Sequence, residues 1–208
     1  MSKIKERRRQ MARVILGCVI VLVLSVGITS LVNAEPADTI NSDATLKEVG
    51  LYSGWGTAEV GDDGASKNYD TIYIGGRFGF NLKKLLKLNM PGMLLSMVEP
   101  FVNPVTEPSS NYEAGCGFLL KYAFPVTKKF YPYIEGGTGF IYISEKTRKQ
   151  GSHMNFVDQA GAGIYYFIDD SWALNAGYRF RHISNLGIKK PNGGIDSHFA
   201  ILGASRFF

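Results

Sequence analysis

From residue 46 to residue 208 apolar and polar side chains alternate in short runs rich in Gly, Tyr and Phe. Period-two alternation marks a strand whose two faces meet different surroundings. Eight such runs can be laid out: Leu46–Val60, Tyr69–Asn81, Met93–Asn103, Tyr112–Phe124, Tyr131–Ser144, Asn155–Ile168, Ser171–Ser184 and Ile195–Phe208. Turn-forming clusters separate them, among them Gly61-Asp62-Asp63-Gly64, Pro125-Val126-Thr127-Lys128-Lys129, Asp169-Asp170 and Pro191-Asn192-Gly193-Gly194. Strands of this length and even number predict an all-β fold, an eight-stranded antiparallel transmembrane barrel of the outer-membrane type. At that size side chains fill the lumen, so it is not a channel. A soluble sandwich or lipocalin-like barrel alternates too and is the competing fold. In Leu82–Pro100 the run LKKLLKL has helical spacing that Met90-Pro91-Gly92 breaks. A short interfacial helix, a strand end with a turn, or a Leu- and Met-rich loop all fit it.

The ends of the chain add an address. Lys3, Lys5, Arg7, Arg8, Arg9 and Arg13 precede an uncharged run from Val14 to Ala34 that closes on Val32-Asn33-Ala34. This reads as a secretory signal peptide over residues 1–34, leaving residues 35–208 as the barrel domain. A retained membrane helix is the alternative, since the run is long enough to span a bilayer. A lipoprotein reading at Cys18 is weaker, because most of the apolar run follows that cysteine. The leader holds six basic residues and one acid. Without it the chain has 17 Lys and Arg against 17 Asp and Glu, so the formal charge of +5 comes from the targeting segment. It does not point to nucleic acid. Cys116 is then the lone cysteine, which excludes an intramolecular disulfide. The terminal Arg206-Phe207-Phe208 resembles the C-terminal signature read by the barrel assembly machinery, with Phe208 as the recognised residue. Trp55, Tyr52, Trp172 and Tyr178 are candidates for an aromatic girdle.

The chemistry gathers in residues 177–199, GYRFRHISNLGIKKPNGGIDSHF. His182 and Ser184 are two apart, so on a strand they share a face. Serine needs a base to take its proton, and the base needs a third group to fix its tautomer. Asp196, across the 185–195 connection, is the candidate. Leu174, Ala176, Tyr178 and Phe180 share the parity of His182 and Ser184, whereas Asn175, Arg179 and Arg181 share the other. The first set should face lipid and the second the lumen. Ile195, Phe199 and Ile201 look lipid-facing, which would turn Asp196 inward unless it lies in the loop. Glu99 and Glu135 sit within apolar strands and are expected to pair with Arg77, Arg179 or Arg181 inside the barrel.

The stretch His182-Ile183-Ser184-Asn185-Leu186-Gly187-Ile188-Lys189-Lys190-Pro191-Asn192-Gly193-Gly194-Ile195-Asp196 resembles the catalytic segment of the PagL-type lipid A 3-O-deacylases. Its pattern H-x-S-N-x-G-x-x-x-P-N-x-G followed by an acid covers the last two strands. The rest of the chain agrees in length, leader and barrel pattern. The resemblance implies an outer-membrane esterase that removes the ester-linked 3-O acyl chain, a 3-hydroxy fatty acid, from lipid A without a cofactor or metal. It implies His182 as base, Ser184 as nucleophile and Asp196 as the acid. Asn185, Gly187 and Asn192 would stabilise the oxyanion. The acid of the family is typically Glu, so Asp196 is a departure, one methylene shorter. Lys189 and Lys190 are candidates to contact the phosphates of the lipopolysaccharide substrate, or are solvated loop lysines. Other readings stand beside this one: a phospholipid-active outer-membrane esterase, a non-enzymatic structural barrel, His198 as a rival base, and a metal held by His182, Asp196 and His198.

Overall fold

A computed structural model describes residues 45–60 and 68–208. The expected leader (residues 1–34) and the Gly61–Gly64 turn lie outside the described residues. Eight strands form a closed barrel in which each pairs antiparallel with its sequence neighbour and β8 returns to β1. They are β1 (Leu46–Glu59), β2 (Asn68–Asn81), β3 (Met93–Glu107), β4 (Asn111–Ala123), β5 (Phe130–Ile143), β6 (Met154–Phe167), β7 (Trp172–Ser184) and β8 (Ile195–Phe207). Closure leaves no sheet edge, as a strand wall in lipid requires.

The segment after β2 is a short helix, α1 (Leu82–Leu86). Asn81 caps it, its side chain accepting from the Lys84 N–H, and Lys87 closes it in the left-handed region (φ 54°). β3 runs four residues past the expected end at Asn103, through Pro104. Proline lacks the N–H that a ladder needs. Here Pro100 and Pro104 fall at gaps in the β2–β3 ladder, while pairing with β4 is continuous from Met93 to Val105. The Asn103 side chain accepts from the Ile74 N–H (3.4 Å) within one such gap.

The lumen is filled. One apolar cluster includes Tyr69, Phe101, Ile141, Ile183, Ile195 and Phe199, and a second Leu95, Met97, Tyr133, Tyr165 and Phe207. Also buried is an ion network. Glu99 pairs with Arg77 and Arg179 (2.7 Å to Arg179), and Glu135 with Arg179 (2.5 Å), Arg77 (3.3 Å) and Lys121 (3.3 Å). This is the pairing expected for both acids, except that Arg181 goes instead to Glu113 (2.6 Å). Two expectations about facing are corrected. Ile195, Phe199 and Ile201 are buried in the lumen, so Asp196, of opposite parity, faces outward. Tyr52 is no girdle residue: it lies inside, donating to Glu48 (3.0 Å) under the Arg77 guanidinium. Trp55 and Trp172 do face out, among exposed Leu51, Phe118, Phe140 and Leu174.

Candidate active site

β7 and β8 bring the motif together. Their register sets His182 directly opposite Asp196. Opposed residues of an antiparallel pair project from the same face, with Cβ atoms about 5 Å apart. His182 Nδ1 and Asp196 Oδ1 lie 2.6 Å apart. An ionised carboxylate only accepts, so this bond puts the imidazole proton on Nδ1 and leaves the Nε2 lone pair available as a base. The pair is on the outer wall, with side chains 39% and 61% exposed. Asn175, Arg179 and Arg181 point inward, as their parity requires. Ser184 ends β7 on the side of His182 and is largely buried. Among the described residues no hydrogen bond joins it to His182, a gap that unliganded sites commonly show.

The loop that follows is held by its own polar side chains. Asn185 to Ile188 form a turn closed by the Ile188 N–H on the Asn185 carbonyl (3.0 Å), with Leu186 (φ 52°) and Gly187 (φ 79°) both left-handed. Asn185 donates its side-chain amide to the Lys189 carbonyl (2.7 Å) and to Gln150 Oε1 (3.3 Å). Both amide hydrogens are therefore engaged in bracing the loop. Asn192 Oδ1 accepts from the Asn185 N–H (2.8 Å) and from Gln150 Nε2 (3.2 Å). That leaves the Asn192 amino group and the Gly187 N–H without a partner among the described residues. Lys189 and Lys190 are exposed on the outer stretch of this loop, beside exposed Leu186 and Ile188.

Three contributors escaped the sequence reading. Gln150, fully buried, comes from the β5–β6 loop and binds Asn185, Asn192 and the Ile183 carbonyl (3.0 Å) at once. Two backbone bonds zip the same loops, Gly151 N–H to Pro191 and Gly193 N–H to Lys149, each 2.8 Å. Gly194, at φ 73°, packs against the imidazole; a Cβ there would fall 2.7 Å from His182 Cε1. Asp158 on β6 faces outward opposite His182 on its other side, so the imidazole stands between two carboxylate strands. The Asp158 alternation was legible. What was not was its register with His182, which depends on the length of the β6–β7 turn.

Comparison with known proteins bears on what this arrangement is. The solved structure of the outer-membrane enzyme PagL matches with a TM-score of 0.57 at 22% identity, over 75% of this chain and 97% of that one. The Neisserial surface protein A matches with a TM-score of 0.52 at 16% identity, over 77% and 97%. At such identity these matches speak for the fold, an eight-stranded outer-membrane barrel. In sequence, 70 residues are 39% identical to the lipid A deacylase PagL of Pseudomonas aeruginosa, 32% of this chain and 38% of that protein, so the alignment spans well under half of the relative. The family model described as lipid A 3-O-deacylase (PagL) matches residues 45–205, from the start of β1 to within three residues of the end of the chain. With the barrel, the paired His182 and Asp196 and the match over residues 45–205 together, the chain belongs to the PagL lipid A 3-O-deacylase family.

Proposed function

We propose that this barrel hydrolyses the ester of the 3-O acyl chain of lipid A, with Ser184 as nucleophile, His182 as base and Asp196 as the group that orients it. The observation that carries this reading is the His182–Asp196 bond on the lipid-facing wall, two residues from a serine on the same side. His182 Nε2 takes the Ser184 proton as Oγ attacks the ester carbonyl. Charge on the carbonyl oxygen is met by the Gly187 N–H and the Asn192 amino group, donors of a kind worth about 2.7–4 kcal/mol each to the barrier. Collapse of the tetrahedral adduct breaks the bond to the sugar oxygen, which receives the proton from His182. Water, deprotonated by the same imidazole, then attacks the acyl-serine and releases the 3-hydroxy fatty acid. Asp196 holds the Nδ1–H throughout and stabilises the imidazolium.

The location follows the same logic. The β5–β6 and β7–β8 loops lie at the barrel end opposite α1 and the C-terminus. With short turns and termini toward the periplasm, the site meets the outer leaflet of the outer membrane. Lys189 and Lys190 stand where lipid A phosphates would lie, and Phe208 would be read during assembly. The test is lipid A mass spectrometry from a Gram-negative host lacking its own deacylase, with wild type, Ser184→Ala or empty vector. Loss of one 3-hydroxyacyl chain with wild type alone is expected. Unchanged lipid A beside folded, inserted protein overturns the lipid A assignment.

A further inference from the structure

One row of the wall below the His182–Asp196 pair, polar chemistry appears where apolar side chains are the rule. The register pairs Phe180 with His198, and Tyr178 with Ala200. Leu174, Ala176, Ala200 and Leu202 continue the outward face of both strands. On the β1 side His198 stands opposite Thr57, whose hydroxyl donates to Asp70 (2.7 Å); toward the apolar face of β7 and β8 the Tyr178 hydroxyl and His198 Nδ1 lie 2.6 Å apart. The two rings stack at 6.0 Å and 24°, and Phe180 packs on the imidazole at 5.5 Å.

This hydrogen bond satisfies only part of the pair. If the tyrosine donates, the imidazole proton sits on Nε2 and is left to offer. If His198 donates from Nδ1, the phenolic O–H is left instead. Either tautomer leaves one donor with no partner among the described residues, on a face where the lipid has none to give. Unmet polar groups in hydrocarbon are costly. An oxygen supplied by the substrate would remove that cost. Lipid A carries such oxygens just inside the hydrocarbon, as hydroxyls on its 3-hydroxyacyl chains. A row is two residues, about 6.6 Å along a strand, so a lipid whose ester is at His182 would run its acyl chains past this pair.

We propose that Tyr178 and His198 form a polar subsite that accepts an acyl-chain hydroxyl of the lipid substrate and so selects hydroxyacylated lipids. The proposal rests on the lipid-esterase reading above and goes beyond it in naming what distinguishes one lipid ester from another. The hydroxyl belongs either to the chain that is cleaved or to its neighbour.

The experiment uses the full-length protein in mixed micelles and three synthetic 2-N,3-O-diacylglucosamines of one chain length. The first lacks hydroxyls, the second carries one on the 3-O chain, and the third one on the 2-N chain. Wild type is expected to favour one hydroxylated substrate by roughly three- to tenfold in kcat/KM, the span of one hydrogen bond. Which substrate is favoured identifies the source. His198→Leu should bring the ratio close to one, Tyr178→Phe should lower it, and His198→Gln, which retains a donor, should keep part of it. Heat-dependent gel mobility confirms that each variant is folded. A wild-type ratio near one, or one unchanged in His198→Leu, overturns the subsite alone. Failure of folded wild type to cleave any of the three overturns the subsite and the esterase reading together.

Discussion

A departure of one methylene at Asp196 is absorbed without lengthening the contact, because the acid stands directly across from His182 and closes to 2.6 Å. Replacing Asp196 by Glu is therefore expected to bring no gain in kcat. Asp196→Asn keeps the shape but removes the charge that fixes the tautomer. It should lower kcat by about 10²–10⁴, the larger figure being that of a buried triad; kinetics on a lipid ester decide this. Gly194 limits the same ring from the other side. At φ 73°, with its Cβ position 2.7 Å from His182 Cε1, Gly194→Ala strains the backbone and displaces the imidazole together. Deacylation should fall by at least tenfold while the barrel still folds, as gel mobility will report. That His182 and Asp196 meet could be read from the sequence because the spacing of the motif survives as a linear pattern. The orientation of Asp196 could not. Ile195, Phe199 and Ile201 are equally at home facing lipid or filling a narrow lumen, and alternation does not say which side is which.

At the scale of elements, strands could be placed to within a few residues because each boundary carries a turn residue. β3 escaped because proline usually ends a strand, yet Pro104 sits at a gap in the ladder on the β2 side. The clasp between the β5–β6 and β7–β8 loops escaped because its centre, Gln150, lies 35 residues from Asn185. Gln150→Ala removes three hydrogen bonds and strands buried partners. Hydrogen exchange in residues 185–194 should accelerate and catalysis should drop, with exchange in the strands unaltered. The β6–β7 turn behaves differently. There the Asp169 carboxylate accepts from the backbone N–H groups of Ser171 and Trp172, each 2.8 Å, which hold its pKa below the usual carboxylate range. Because the folded value is the lower one, the contribution exists above the unfolded pKa, about 3.9, and disappears as pH falls through the folded value. Asp169→Ala should abolish that acid-side component of stability, seen by comparing unfolding midpoints near pH 7 and pH 3.

For the whole molecule, the lumen holds the buried ion network and the outer wall holds the proposed site. Glu135 faces Arg77, Arg179 and Lys121 inside the barrel. Truncating it to Ala leaves three cations short of a partner, a change expected to cost about 3–5 kcal/mol. Urea titration of the protein refolded into bilayers will measure this. Neither catalytic spacing nor lipid contact is touched, so activity per folded molecule should persist. The separation follows from closure: eight strands leave a lumen filled by side chains, so the proposed site stands on the outer wall, where lipids would be.

Because His182 and Asp196 look sideways out of the wall and not down a pore, a substrate of the proposed site would arrive by sliding within the plane of a leaflet. The governing concentration is then the mole fraction of target lipid around the barrel, not its amount per volume of buffer. Adding inert lipid or detergent at constant substrate should slow turnover by surface dilution, and a neighbouring molecule that occupies this flank would act as a competitive inhibitor without ever entering the protein.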